Sequence, residues 1–390
     1  MRTLVALTIG LVLGVGAFEV FLRVVGPIRG QSLQGQSVLL PTNRVYIYNN
    51  VGIRGYDARI VDTKNSLGFR GPNPPGDFAN WLTLVAVGGS ATECFYLSDG
   101  KDWPARVGAR LQPVFDRLWI NNAGLDGHST FGHLLLLEGY LSRLKPKMVL
   151  LLVGANDVGR GDPNEHDAKI LRSPGLKSVF VMGCREIQNR SRTIGLIQYF
   201  YRTIRAKRGG AVHGTTDLKT LPHLAGSEKK YDLLHQEHER LFLPPYERRL
   251  EEMIQLCRKS NMEPVLITNP VLYGDQVDDE TGVNLGEIQV DSQTNGRMAW
   301  KLLELYNDRT RQLAKRENIL LIDLARQMPK SSRYFCDFYH LTNSGADEAA
   351  RLIVEPLEPY LAAHYPSYLK RKQSRSAAGS EKIVHSSANR

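Results

Sequence analysis

Between residues 82 and 365, short apolar runs alternate with amphipathic stretches, and this alternation restricts the fold more than any other feature of the chain. Runs too short for helices and apolar throughout suit strands buried on both faces, which occur in parallel sheets covered by helices. Five such strands are predicted, at Leu82–Val87, Leu118–Asn121, Met148–Val153, Pro264–Thr268 and Ile319–Ile322. Trp103–Gln112, Phe131–Leu144, Pro245–Lys259, Arg297–Glu317 and Asn343–Tyr360 carry the helical pattern that would cover them. The expected class is α/β, a three-layer α/β/α sandwich. In such sheets ligands bind beyond the carboxyl ends of the strands, so chemistry is sought there first.

Four of those ends carry polar signals. After the first strand comes Gly88-Gly89-Ser90, in which the glycines are expected to turn the chain sharply and expose the serine hydroxyl. After the second comes the run 121–130, with Gly124 and Gly127, and after the third Gly154-Ala155-Asn156-Asp157. The last is followed by residues 335–345, in which Asp337 stands three residues ahead of His340. A serine becomes a nucleophile when an imidazole takes its proton and a carboxylate fixes that imidazole's tautomer. An acyl group under attack develops an oxyanion, for which the backbone N–H groups of Ser90 and Gly127 and the Asn156 amide are candidate donors. Taken singly, each motif also has a bland reading: a strand-to-helix turn, a turn-forming Asn, a structural histidine. Their order at successive strand ends gives the chemical reading its weight.

The set resembles the SGNH hydrolases, also called the GDSL esterase/lipase family, of membrane-anchored or exported bacterial type. The blocks are Gly88-Gly89-Ser90-Ala91-Thr92, Asn122-Ala123-Gly124-Leu125-Asp126-Gly127, Gly154-Ala155-Asn156-Asp157 and Asp337-Phe338-Tyr339-His340-Leu341-Thr342. The resemblance implies a flavodoxin-like five-stranded parallel sheet and a serine esterase working through an acyl-enzyme. In it Ser90 is the nucleophile, His340 the base and Asp337 its orienting acid, with Ser90, Gly127 and Asn156 forming the oxyanion hole. It implies no cofactor and no metal. The chain departs from the family pattern at Gly89, where many members carry Asp. The substrate implied by family and location is an acylated small molecule or an O-acylated envelope glycan. An O-acyltransferase using the same residues is one alternative, and a non-catalytic glycan-binding module another; a binder has no need of the complete residue set.

The N-terminal run places one early arginine before about sixteen uncharged residues ending at Glu19. This is the pattern of a membrane anchor, or of a signal peptide cleaved near Val15-Gly16-Ala17, with the body outside the cytoplasm. The expected organisation is a membrane segment at 1–27, an extended or linker region at 28–80, the hydrolase domain at 81–365 with an insertion at about 160–244, and a basic, disordered tail at 366–390. The net charge of +10 is local: residues 185–208 carry +6 and residues 366–390 carry +5, which leaves the rest nearly neutral. With no zinc-finger, RRM or helix-turn-helix pattern, nucleic acid is excluded as the expected partner. His235 and His238 in HQEHER read as a surface helix rather than a metal site, there being no third ligand. Finally, Cys94 lies four residues past Ser90 and Cys336 just before Asp337, so a shared site would make them neighbours able to form a disulfide in an oxidising compartment.

Overall fold

A computed structural model describes residues 10, 14–21, 32–34, 37–40, 42–50, 52–163, 167 and 216–370. The central sheet has five parallel strands, β5 (Leu82–Gly88), β6 (Leu118–Asn122), β7 (Met148–Leu152), β8 (Glu263–Ile267) and β9 (Leu321–Ile322), in the order β6-β5-β7-β8-β9. Numbered along the chain, that is the 2-1-3-4-5 order of flavodoxin-like sheets. Alternating strand residues face opposite cores. Leu82, Leu84 and Ala86 of β5 join a cluster with Val107, Ala346 and Ile353, while Val85 and Val87 join another with Leu136, Leu250 and Met253. Helices α2 (Trp103–Leu111) and α6 (Asn343–His364) therefore cover one face. The other is covered by α3 (Thr130–Leu136), α4 (Leu243–Lys259) and α5 (Gly296–Glu317).

Two predicted elements are continued by neighbouring turns of helix. The 131–144 pattern is realised as α3 followed by a π-turn at Leu137–Leu141 and a last turn at Ser142–Leu144. Ahead of α4 the chain is already helical from Glu228, with a π-turn over His238–Phe242. His238 is thereby turned inward and buried, its Nδ1 3.0 Å from the Tyr306 hydroxyl, which corrects the expectation of a surface position. Of the expected insertion at 160–244, most lies outside the described residues, as do the basic segment 185–208 and the tail 371–390.

Residues 28–80 are not a linker where they are described. After a short pair, β1 (Ser32–Gln34) with β2 (Ser37–Leu39), the chain forms a hairpin of β3 (Arg44–Asn49) and β4 (Arg59–Lys64). The hairpin reaches the edge of the central sheet through Arg70, which bridges to both Lys64 and Asn122. The Arg70 N–H donates to the Asn122 carbonyl and the Asn122 N–H to the Arg70 carbonyl, both at 2.9 Å. An otherwise open strand edge is covered in this way. At the N-terminus residues 14–21 are helical. No helix among the described residues is long and apolar enough to cross a membrane, and the rest of the expected membrane segment lies outside them.

The Arg70 side chain is fully buried beneath the turn that follows β5. Its Nη1 donates to the carbonyls of Glu93 and Cys94 at 2.8 and 2.6 Å, and its Nη2 to that of Leu97 at 2.6 Å. Asp62 lies 3.1 Å from Nε, with Asp99 and Asp102 at 3.7 and 3.9 Å from Nη2. Burial opposes the charge, but Asp102 and Asp62 outweigh it and hold the guanidinium pKa above its ordinary value. Removing one partner from a buried ion network leaves charges with neither water nor a counter-ion. Arg70→Met should accordingly lower the unfolding free energy by about 3–5 kcal/mol, measured by chemical denaturation; a change within experimental error would show that the network does not hold this edge.

Candidate active site

Ser90 opens α1 (Ser90–Glu93), one residue after the N-cap Gly89. The two glycines before it work through space rather than through unusual angles, since neither has a positive φ. A Cβ on Gly88 would collide with the Thr92 hydroxyl and one on Gly89 with Nδ2 of Asn156. Four residues make a helix too short to satisfy its own carbonyls. The donors come from elsewhere: Asn122 Nδ2 to the Thr92 carbonyl at 2.6 Å, and Arg70 to those of Glu93 and Cys94. Glu93, buried, faces Lys64 Nζ at 3.4 Å and accepts the Asp126 N–H at 2.7 Å, which ties the nucleophile turn to the glycine block.

His340 meets this turn from the far end of the chain. Its Nε2 lies 2.8 Å from Ser90 Oγ and its Nδ1 2.6 Å from Asp337 Oδ2. The other oxygen of Asp337 accepts the N–H groups of Tyr339 and His340, each at 2.8 Å. Burial pushes the Asp337 carboxyl up, but the bonds to the His340 ring and to the two backbone N–H groups outweigh it and hold the carboxyl below its ordinary value. An ionised Asp337 only accepts, so the ring proton sits on Nδ1 and the Nε2 lone pair faces the serine. The loop closes through the Cys336 N–H to the His340 carbonyl at 2.9 Å, and Thr342 caps α6 by accepting the Gly345 N–H at 3.0 Å.

The glycine and asparagine blocks face Ser90 from the neighbouring strands. Gly127 has a φ of +70° and Gly154 one of +120°, the conformations that favour glycine. Asn156 donates one amide N–H to the His128 carbonyl at 2.9 Å. Its second amide N–H and the backbone N–H of Ser90 have no partner among the described residues. Asp157, beside it, accepts from Thr130 N and from Arg249 Nη2 at 3.1 and 3.3 Å. Burial raises the Asp157 pKa to about 6 against the pull of Thr130 and Arg249. Residues 128 and 130 are thus both held by the Asn156-Asp157 pair.

The disulfide that the sequence allowed is absent. Cys94 and Cys336 are both free thiols: Cys94 Sγ donates to the Ala91 carbonyl at 3.2 Å, and Cys336 Sγ lies 2.8 Å from the Tyr56 hydroxyl. Burial pushes each thiol up to about 12, so neither is a thiolate at neutral pH. Their segments do adjoin, as the sequence implied, through the contact of Ser90 with His340, and Tyr56 from the β3–β4 hairpin lies against Cys336. A small cleft, open to solvent, lies beside Ser90 and His340 and is walled by Tyr56, Phe95, Tyr96, Leu97 and Leu341. Tyr56, Arg70 and Glu93 are the site residues missed by sequence reasoning; the glycine-flanked Phe69-Arg70 pair was the one local hint.

A family model for GDSL-like lipases and acylhydrolases matches residues 86–347. The chain belongs to that family. It is, accordingly, a hydrolase of ester bonds. A comparison with curated proteins finds no match. Among solved structures the chain is similar to Axe2, an acetylxylan esterase from Geobacillus stearothermophilus, at 15% identity over 70% of this chain and 93% of that one, with a TM-score of 0.40. It is similar also to TesA, at 15% identity over 71% and 98% with a TM-score of 0.38. A G-D-S-L family protein from Desulfitobacterium hafniense DCB-2 matches at 13% identity over 70% and 99%, with a TM-score of 0.36. At TM-scores this low none of the three carries weight for substrate.

Because a Cβ at Gly89 would occupy the place of the Asn156 amide, Gly89→Ala should displace that amide. The expected result is a fall in ester turnover of about 10²-fold, the usual cost of losing one oxyanion donor, with a melting temperature close to wild type. Wild-type turnover in this variant would contradict the placement of Asn156.

Proposed function

We propose that this hydrolase cleaves short-chain acyl esters through an acyl-enzyme on Ser90. The observation that carries the reading is the unbroken relay from Ser90 Oγ through both ring nitrogens of His340 to Asp337, at 2.8 and 2.6 Å. Ser90 Oγ attacks the ester carbonyl as His340 Nε2 takes its proton, and Asp337 steadies the imidazolium. The negative charge that develops on the carbonyl oxygen is met by the N–H groups of Ser90, Gly127 and Asn156. His340 then returns the proton to the departing alcohol, and a water activated by the same ring releases the acid.

The small cleft supports the choice of a short acyl group. Tyr56, Phe95 and Tyr96 close in on Ser90 and His340 and leave room for only a small group beside them. The alcohol side of the substrate is proposed to be a hydroxyl of an envelope glycan, in keeping with the apolar, almost uncharged run at the start of the chain. Single-pass anchoring or export of the body belongs to the same proposal.

Ser90→Ala should lower turnover of p-nitrophenyl acetate by at least about 10³-fold while leaving the melting temperature unchanged, and the wild type should lose activity as the acyl chain lengthens from acetyl to octanoyl. Turnover retained in the variant would reject the nucleophile. A preference for octanoyl esters would reject the short-chain reading.

A further inference from the structure

The region matched by the family begins at residue 86, yet one wall of the cleft comes from residues well before it. The tip of the β3–β4 hairpin lies against the loop that carries Asp337 and His340. The Asn343 N–H donates to the Gly55 carbonyl at 3.0 Å, and Asn343 Nδ2 reaches Asp57 at 3.2 Å. Asp57 is itself paired with Lys101 at 2.6 Å. A Cβ on Gly55 would collide with the side chain of Thr342, the cap of α6. Tyr56, between Gly55 and Asp57, places its hydroxyl 3.1 Å from the Leu341 carbonyl and 2.8 Å from Cys336 Sγ. Those two residues bracket the run from Asp337 to His340 at its two ends. A carbonyl can only accept, so the phenol proton goes to Leu341 and the thiol proton to the phenol oxygen, which leaves every group at the neck of the loop satisfied. Burial and the neighbouring Cys336 keep the phenol protonated, as this arrangement requires.

Resting on the serine-esterase reading above, we propose that the β3–β4 hairpin completes the active site and that Tyr56 is a positioning residue for His340. Its hydroxyl clamps both ends of the Asp337–His340 loop, and its ring forms part of the cleft wall. The imidazole must present Nε2 to Ser90 while Nδ1 stays on Asp337. Backbone bonds hold the loop at Cys336 and at Phe338, and Asp337 holds the Tyr339 and His340 N–H groups from within; the Tyr56 hydroxyl joins its two ends, Cys336 and Leu341, through one side chain and so fixes the neck from which His340 projects. Misplacement of the ring is costly because proton transfer requires a near-linear bond of ordinary length.

Tyr56→Phe in the full chain tests the hydroxyl while keeping the ring. The expected result is a fall in kcat of about tenfold with KM for p-nitrophenyl acetate within about twofold, and a melting temperature within about 2 °C of wild type. The low-field proton resonance of His340 Nδ1, shared with Asp337, should weaken in parallel through faster exchange. Since that resonance needs no substrate, it tests the clamp even if the chain turned over no aryl ester, an outcome that would count against the esterase reading alone. Unchanged kcat with an unchanged resonance would overturn the proposal. So would a loss of activity matched by a loss of folded protein, for then the hydroxyl would serve stability only.

Discussion

A buried positive charge underlies the geometry of this site. Arg70 lies beneath the nucleophile turn and donates to three carbonyls, those of Glu93, Cys94 and Leu97, while its backbone pairs with the edge strand β6. Without Arg70 the buried Leu97 carbonyl would lose its donor, at a cost of the order of 1–3 kcal/mol, and those of Glu93 and Cys94 would keep only the Asn122 amide at 3.4 Å and the Leu97 N–H at 2.9 Å. With Arg70 present, Ser90 stands on a floor of charge-assisted hydrogen bonds instead of a fraying turn. Glu93 and Asn122 extend the same floor to Asp126 and Gly124, so the nucleophile and the glycine block cannot move independently.

The remaining parts of the site are held by pairs of elements, which explains how residues 250 positions apart keep a 2.8 Å contact. Asn156 and Asp157 secure residues 128 and 130 from β7, and the β3–β4 hairpin secures the His340 loop from outside the sheet. Each part of the candidate site is thus braced by hydrogen bonds from another element, as preorganised sites require.

The sheet was legible in the sequence because its signal is local. Fully apolar runs such as Met148–Val153 have no other good use, and the glycine and polar residues behind each strand end pointed to the cleft. The candidate triad was legible because Ser90 follows the first strand and Asp337 and His340 follow the last, all at the carboxyl ends of one sheet. Arg70, Tyr56 and Glu93 were not, since an arginine in a glycine-rich stretch or a tyrosine in a hairpin tip reads as surface until tertiary packing buries the one and half-buries the other. The two glycines before Ser90 were found for a partly wrong reason: their φ angles are ordinary, and what they supply is room for Thr92 and Asn156. That the segments carrying Cys94 and Cys336 meet was inferred correctly, through the contact of Ser90 with His340, but adjoining segments need not pair their thiols. Local bonds orient the thiols differently, one toward Ala91 and the other toward Tyr56.

The central claim is covalent: the acyl group passes through Ser90. Rapid acid quench of the full chain turning over p-nitrophenyl acetate, followed by intact mass measurement and peptide mapping, tests it most directly. The account predicts one added acetyl group per chain, located on Ser90, in a fraction that decays once substrate is exhausted. Acetyl on another residue that turns over at the catalytic rate would contradict it.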